Sequence, residues 1–154
     1  MMTARANYIG LAPKAMQILM DQEAYLREQF SESGILSTAL WELLKLRVSQ
    51  INRCAFCVDM HSKDALSHGE TVERLIGLSA WHDMPMYSTT ERAALAWAEH
   101  LTQGKPVDDH CYDKAVTALG EKGLVDVTIA VNAINSWNRI VKTFKPEVGS
   151  YKPQ

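Results

Sequence analysis

Apolar residues recur at three- and four-residue intervals along almost the whole chain, and no long stretch alternates apolar with polar positions between turn clusters. That is the helical period, so the pattern predicts an all-α chain of about six to seven helices. The first runs over 13–30, with Ala15, Ile18, Leu19, Tyr25 and Leu26 on a broken apolar stripe, and Ser31-Glu32-Ser33-Gly34 ends it. Ser37 caps a second, on which Leu40, Leu43, Leu44, Val48 and Ile51 keep the three-four spacing. A third continues through 58–66 and stops at Gly69, and a short fourth covers 71–81. Ser88-Thr89-Thr90-Glu91 reads as a capping box that opens a fifth helix through Leu101, before Gly104-Lys105-Pro106. Asp108 caps a sixth, followed by Gly120. The last, over 123–144, is apolar on most sides, which predicts a central or interface position.

Nothing in this pattern marks a linker or repeat, so 1–154 reads as a single helical domain with an N-terminal arm (1–12) and a polar tail (145–154). With 154 residues and 47% hydrophobic content, the chain can bury a substantial core. Lys and Arg number 16 against 18 Asp and Glu and are scattered, which argues against a nucleic-acid partner. The apolar runs are too short to cross a bilayer, and the N-terminus carries no apolar leader, so a cytoplasmic location is the default expectation.

Composition becomes informative at the cysteines. There are three, and two form Cys54-Ala55-Phe56-Cys57, followed by His61. In a reducing compartment such a pair points to catalytic or metal use rather than to a disulfide framework. A free thiol titrates near pH 8.5. Here a helix N-terminus and an imidazole one turn beyond Cys57 both favour the thiolate. A thiolate can attack a peroxide to give a sulfenic acid, and a second thiol three residues away can condense with it. Glu42 lies on the preceding helix. If helices two and three form a hairpin across Asn52-Arg53, Glu42 sits roughly 16 Å back from the turn and His61 roughly 10 Å beyond it. A long Glu side chain or one bridging water would span that offset of about one turn.

Glu42, eleven intervening residues, then Cys54-x-x-Cys57-x-x-x-His61 resembles the signature of the AhpD-like alkylhydroperoxidases, within the wider carboxymuconolactone decarboxylase family. The stretches Leu46-Arg47-Val48-Ser49-Gln50-Ile51-Asn52, Asp59-Met60-His61-Ser62-Lys63-Asp64-Ala65 and Glu91-Arg92-Ala93-Ala94-Leu95-Ala96-Trp97 are also similar to the family. The same holds for Leu78-Ser79-Ala80-Trp81 and Ile134-Asn135-Ser136-Trp137-Asn138-Arg139. The resemblance implies an AhpD-like helical bundle assembled as a homotrimer or homohexamer. It implies hydroperoxide reduction through the cysteine pair, with no cofactor beyond that pair. Glu42 and His61 would relay protons, and a dithiol or lipoyl-bearing protein would return electrons. It also implies that Cys57 attacks and Cys54 resolves, whereas the helix dipole alone favours Cys54 as the more acidic thiol; both assignments stay open at this stage. Phe56 stands where some members carry a second His, so that relay position is missing.

Two other readings use the same residues. Cys54, Cys57 and His61, with His68 or Cys111, could bind zinc in a helical binding module. A decarboxylase-type member of the family would work without the cysteines. Elsewhere the plain readings prevail. Cys111 is a small, partly buried hydrophobe; His68, His82 and His100 are surface or capping residues; Trp41, Trp81, Trp97 and Trp137 pack. Asn135 and Asn138, in an apolar helix, need partners across a helix or subunit contact.

Overall fold

The computed structural model describes residues 5–153. Those residues form seven α-helices and no strand: α1 (Tyr8–Leu11), α2 (Pro13–Glu32), α3 (Thr38–Ile51), α4 (Ala55–Ser67), α5 (Val72–Gly77), α6 (Thr89–Thr102) and α7 (Asp109–Phe144). No helix among them is long and apolar enough to cross a membrane.

Helix α3 is the axis of the bundle and packs against α2, α4, α6 and α7. Its composition explains why. Leu40, Trp41, Glu42, Leu43, Leu44, Lys45, Leu46, Val48 and Ser49 are all buried, so the helix is covered on every side. Around it Leu26 and Phe30 of α2, Leu95 and Ala98 of α6, and Leu119, Val127, Val131 and Ile134 of α7 complete one core. Each fully buried Leu or Phe contributes about 2 kcal/mol through removal from water.

Local signals set the helix ends. Ser37, Thr71 and Asp108 each accept a backbone N–H of the first turn. The Ser88–Glu91 capping box is present in both directions. The expected fourth helix is shorter than read, ending at Gly77 and passing into a 3₁₀ turn, Leu78–Ala80. The sixth and last helices run on as α7, interrupted at Gly120, whose φ of 70° and ψ of 162° are non-helical. That backbone is open to glycine at little cost and strained for other residues. Within the expected arm, residues 8–11 form the single turn α1, and residues 1–4 lie outside the described residues.

The junction between α3 and α4 determines where the cysteines sit. Asn52 ends α3, Arg53 adopts a left-handed φ of 54°, and Cys54, in extended conformation, is the N-cap of α4. This tight reversal makes the two helices a hairpin. Asn52 Nδ2 donates to Oδ1 of both Asn135 and Asn138 at 2.9 Å, and Asn138 Nδ2 donates to Ser49 Oγ at 3.0 Å. Lys142 Nζ donates to the Asn52 carbonyl at 2.7 Å. The two Asn side chains of α7 thus clamp the turn that carries the cysteine pair, as their place in an apolar helix anticipated.

The tail is not a loose appendage. Lys63 Nζ donates to the carbonyls of Gly149 and Tyr151, at 3.4 and 3.1 Å. Tyr151 Oη donates to Asp64 Oδ1 at 2.7 Å, fastening the tail along α4.

Candidate active site

Cys54 and Cys57 are joined by a disulfide, with Cα atoms 5.3 Å apart. A three-residue spacing at the start of a helix allows this bond without moving the backbone. Both residues are buried, at 1% and 3% exposure, and pack with Val141 and Phe56. Phe56 therefore stands beside the pair as an apolar wall.

His61 lies one helical turn beyond Cys57, on the same face of α4, and is 6% exposed. Its Nδ1 is 3.6 Å from Oε2 of Glu42, itself only 3% exposed. The hairpin therefore closes the one-turn offset with side-chain length and needs no intervening molecule. At this separation the contact is an electrostatic one, longer than an ordinary hydrogen bond. Among the described residues neither atom has a hydrogen-bond partner.

Sequence reasoning missed Lys45. Its Nζ donates to Glu42 Oε1 at 2.7 Å and lies 3.7 Å from the centroid of the Trp41 ring. Burial pushes the Glu42 carboxyl up, but contact with His61 and Lys45 outweighs this and holds it below its ordinary value. The carboxylate is thus charged at neutral pH although it is buried. A lysine within the otherwise apolar Leu43-Leu44-Lys45-Leu46 was the available signal: such a residue is buried only with a partner.

Three further groups surround this centre. Burial raises the Glu23 carboxyl on α2, opposed by Lys45 and His61, and Glu23 Oε1 accepts from Trp137 Nε1 at 3.1 Å. Asp64 lies one turn beyond His61, and its ligand atom falls within 4.8 Å of those of Glu42 and His61. Burial and the bond to Asp64 push the Tyr151 phenol up to about 12, so it remains a donor throughout the physiological range. No local sequence signal could pair Tyr151 with Asp64 across 87 positions.

The zinc set considered from sequence is not assembled. Both cysteine sulfurs are spent in the disulfide. His68 Nδ1 meets the Asp64 carbonyl at 2.8 Å, near the end of its own helix. Cys111 lies elsewhere, its Sγ 3.8 Å from His100 Nδ1. Trp81, Trp97 and Trp137 each donate to a side-chain oxygen within the chain, on Glu99, Thr128 and Glu23 respectively. Together the four residues singled out from sequence, Glu42, Cys54, Cys57 and His61, occupy the two arms of one hairpin. The arrangement can hold a proton between a buried carboxylate and an imidazole, one helical turn from the cysteine pair.

Residues 13–100 match the carboxymuconolactone decarboxylase family. The chain is 44% identical over 141 residues to YdfG, an uncharacterized protein of Bacillus subtilis (strain 168), covering 90% of this chain and 92% of that one. Among solved structures it is similar to ATU0492 of Agrobacterium tumefaciens, a protein of unknown function considered an AhpD-type antioxidant defence protein. That match has a TM-score of 0.85 at 33% identity and covers 97% of this chain and 100% of the other. The debrominase Bmp8 shares the fold, with a TM-score of 0.79 at 16% identity over 92% of this chain and 75% of its own. Family match, close relative and shared bundle agree, and the chain is an AhpD-like member of the carboxymuconolactone decarboxylase family.

Proposed function

We propose that the protein is a dithiol peroxidase that reduces alkyl hydroperoxides through Cys54 and Cys57, with His61 and Glu42 as the proton relay. The observation that carries this reading is the approach of a charged, buried Glu42 to His61, one turn from a cysteine pair already within bonding distance. A buried carboxylate beside an imidazole fixes its tautomer and stabilises its charged form. With Nδ1 committed to Glu42, Nε2 is the ring nitrogen left to exchange a proton with Cys57.

The reaction balances in three steps. The Cys57 thiolate attacks the terminal oxygen of the hydroperoxide and breaks the O–O bond. The product is a Cys57 sulfenic acid, and the departing alkoxide takes a proton from His61 to leave as an alcohol. The Cys54 thiolate then attacks the sulfenic sulfur, closing the disulfide and releasing hydroxide, which is protonated to water. A dithiol or lipoyl-bearing reductant reopens the bond by exchange and becomes a disulfide itself. Bmp8, a debrominase, shares the helical fold, so the fold alone does not select the oxidant; the thiol pair with its relay supports a peroxide.

In this reading the protein acts in the cytoplasm as a homotrimer or homohexamer. Support for assembly comes from the apolar surface around Trp97, Tyr112, Leu124, Val125 and Ile129, where Tyr112 and Val125 are exposed.

Glu42→Gln tests the relay. The amide keeps the shape but cannot hold the imidazolium. Hydroperoxide reduction with a dithiol reductant is expected to fall about 100-fold or more, the ordinary scale for losing a positioned acid–base group. Unchanged turnover would remove Glu42 from the mechanism.

A further inference from the structure

Glu42 Oε2 and His61 Nδ1 face each other at 3.6 Å, buried and, among the described residues, without hydrogen-bond partners. That separation exceeds a hydrogen bond. It is also too short for an intervening water, which would hold the two atoms about 4.6 Å apart at ordinary bond lengths and a tetrahedral angle. Two atoms bound to one tetrahedral zinc ion, at bonds of roughly 2.0–2.1 Å, lie about 3.3 Å apart. The observed gap is close to that bite. Asp64 brings a third ligand atom, all three lying within 4.8 Å of one another.

The surroundings are those of a supported ligand set. Lys45 holds Oε1 of Glu42, leaving Oε2 directed at His61. Tyr151 holds Oδ1 of Asp64, leaving Oδ2. Such outer contacts orient carboxylate ligands. His61 and Asp64 occupy successive turns of α4, and Glu42 enters from α3. The Glu42 and Asp64 carboxylates and the His61 imidazole converge here beside Lys45, and the Glu23 carboxyl stands close by. Nitrogen and carboxylate donors in this number suit zinc better than the hard cations, which need more oxygen ligands.

We propose that Glu42, His61 and Asp64 form a binding site for a divalent transition metal, with Zn²⁺ the best-matched ion. Unlike a thiolate site, it is available while Cys54 and Cys57 are bonded to each other. A metal here occupies the same Nδ1 and Oε2 atoms that the proposed peroxidase uses as its relay. On that reading of function, the ion acts as an inhibitor that locks the oxidised form.

The test is calorimetric titration of the full-length disulfide form with Zn²⁺ alone, in buffer free of chelators and reductants. One equivalent is expected to bind with a dissociation constant on the order of 10 µM or tighter. Asp64→Asn, at a half-buried position, should weaken binding by about tenfold or more, and Glu42→Gln likewise. Cys111→Ser should bind as the parent does, since the Cys111–His100 contact is the competing site. Thermal melts of the metal-free variants verify that each is folded. Weaker binding or none in the parent, equal binding in Asp64→Asn, or loss of binding in Cys111→Ser would overturn the proposal. Calorimetry involves no peroxide. A protein that binds zinc this way yet reduces no hydroperoxide would refute the proposed function and leave the site standing.

Discussion

Cys57→Ser is expected to abolish hydroperoxide reduction, including the first turnover, whereas Cys54→Ser is expected to consume about one equivalent of hydroperoxide and then stop. The asymmetry comes from the chain position of the relay. His61 follows Cys57 by one helical turn and Cys54 by two, and its Nδ1 already faces Glu42. Cys57 is therefore the thiol whose proton the imidazole can take. Cys54 caps the helix and gains from its dipole, but it has no such base. Loss of the attacking thiolate removes the covalent step outright, so the residual rate of Cys57→Ser should be below about one thousandth of the parent's. In Cys54→Ser the sulfenic acid formed on Cys57 has no resolving partner and should be trapped by a dimedone-type reagent. Trapping on Cys54 in Cys57→Ser, with none on Cys57 in Cys54→Ser, would reverse the roles.

The second large effect is on stability. Lys45→Met should lower the melting temperature by about 10 °C at pH 7, corresponding to about 3 kcal/mol for a chain of this size. Methionine keeps the aliphatic stem against Trp41 but removes the one hydrogen-bond donor that Glu42 Oε1 has among the described residues. The buried carboxylate is then left with His61 alone, and burial, the largest single influence on it, goes unopposed on one side. The pH dependence follows from the sign of the shift. In the parent, the folded-state value of Glu42 lies below its unfolded one. Its contribution to stability is therefore fully present above the unfolded value and is lost as pH falls through the folded one. Without Lys45 that depression shrinks or reverses, so the variant should lose less stability than the parent between about pH 7 and pH 4. The gap between the two melting temperatures should narrow on acidification. A shift under about 2 °C at pH 7, or a gap that widens in acid, would show that Lys45 does not neutralise Glu42.

How far the sequence could be read depended on the range of each interaction. Helix ends were legible because their causes are local: Ser37, Asp108 and the Ser88–Glu91 pair act within one turn. Gly120 marked the break in α7 because its positive φ suits glycine. Helix α1 was missed because four residues are too few to display a period. The hairpin brought Glu42 to within one turn of His61 on rise alone, and only side-chain placement could close the remainder. The supporting groups were harder. Lys45 reads on its own as a solvated cation, and its burial is a consequence of α3 standing at the centre of the bundle. Asp64 gained its place only once the tail returned along α4 to put Tyr151 against it.

Counting thiols most directly tests the claim that the two sulfurs cycle between reduced and bridged states. Fully reduced protein should present three titratable thiols, matching its three cysteines. After one equivalent of an alkyl hydroperoxide it should present one, on Cys111, the free cysteine of the structure. Mass spectrometry of a non-reduced digest should then find the bond between Cys54 and Cys57. Three thiols surviving, or oxidation confined to Cys111 with no bond formed, would contradict the account.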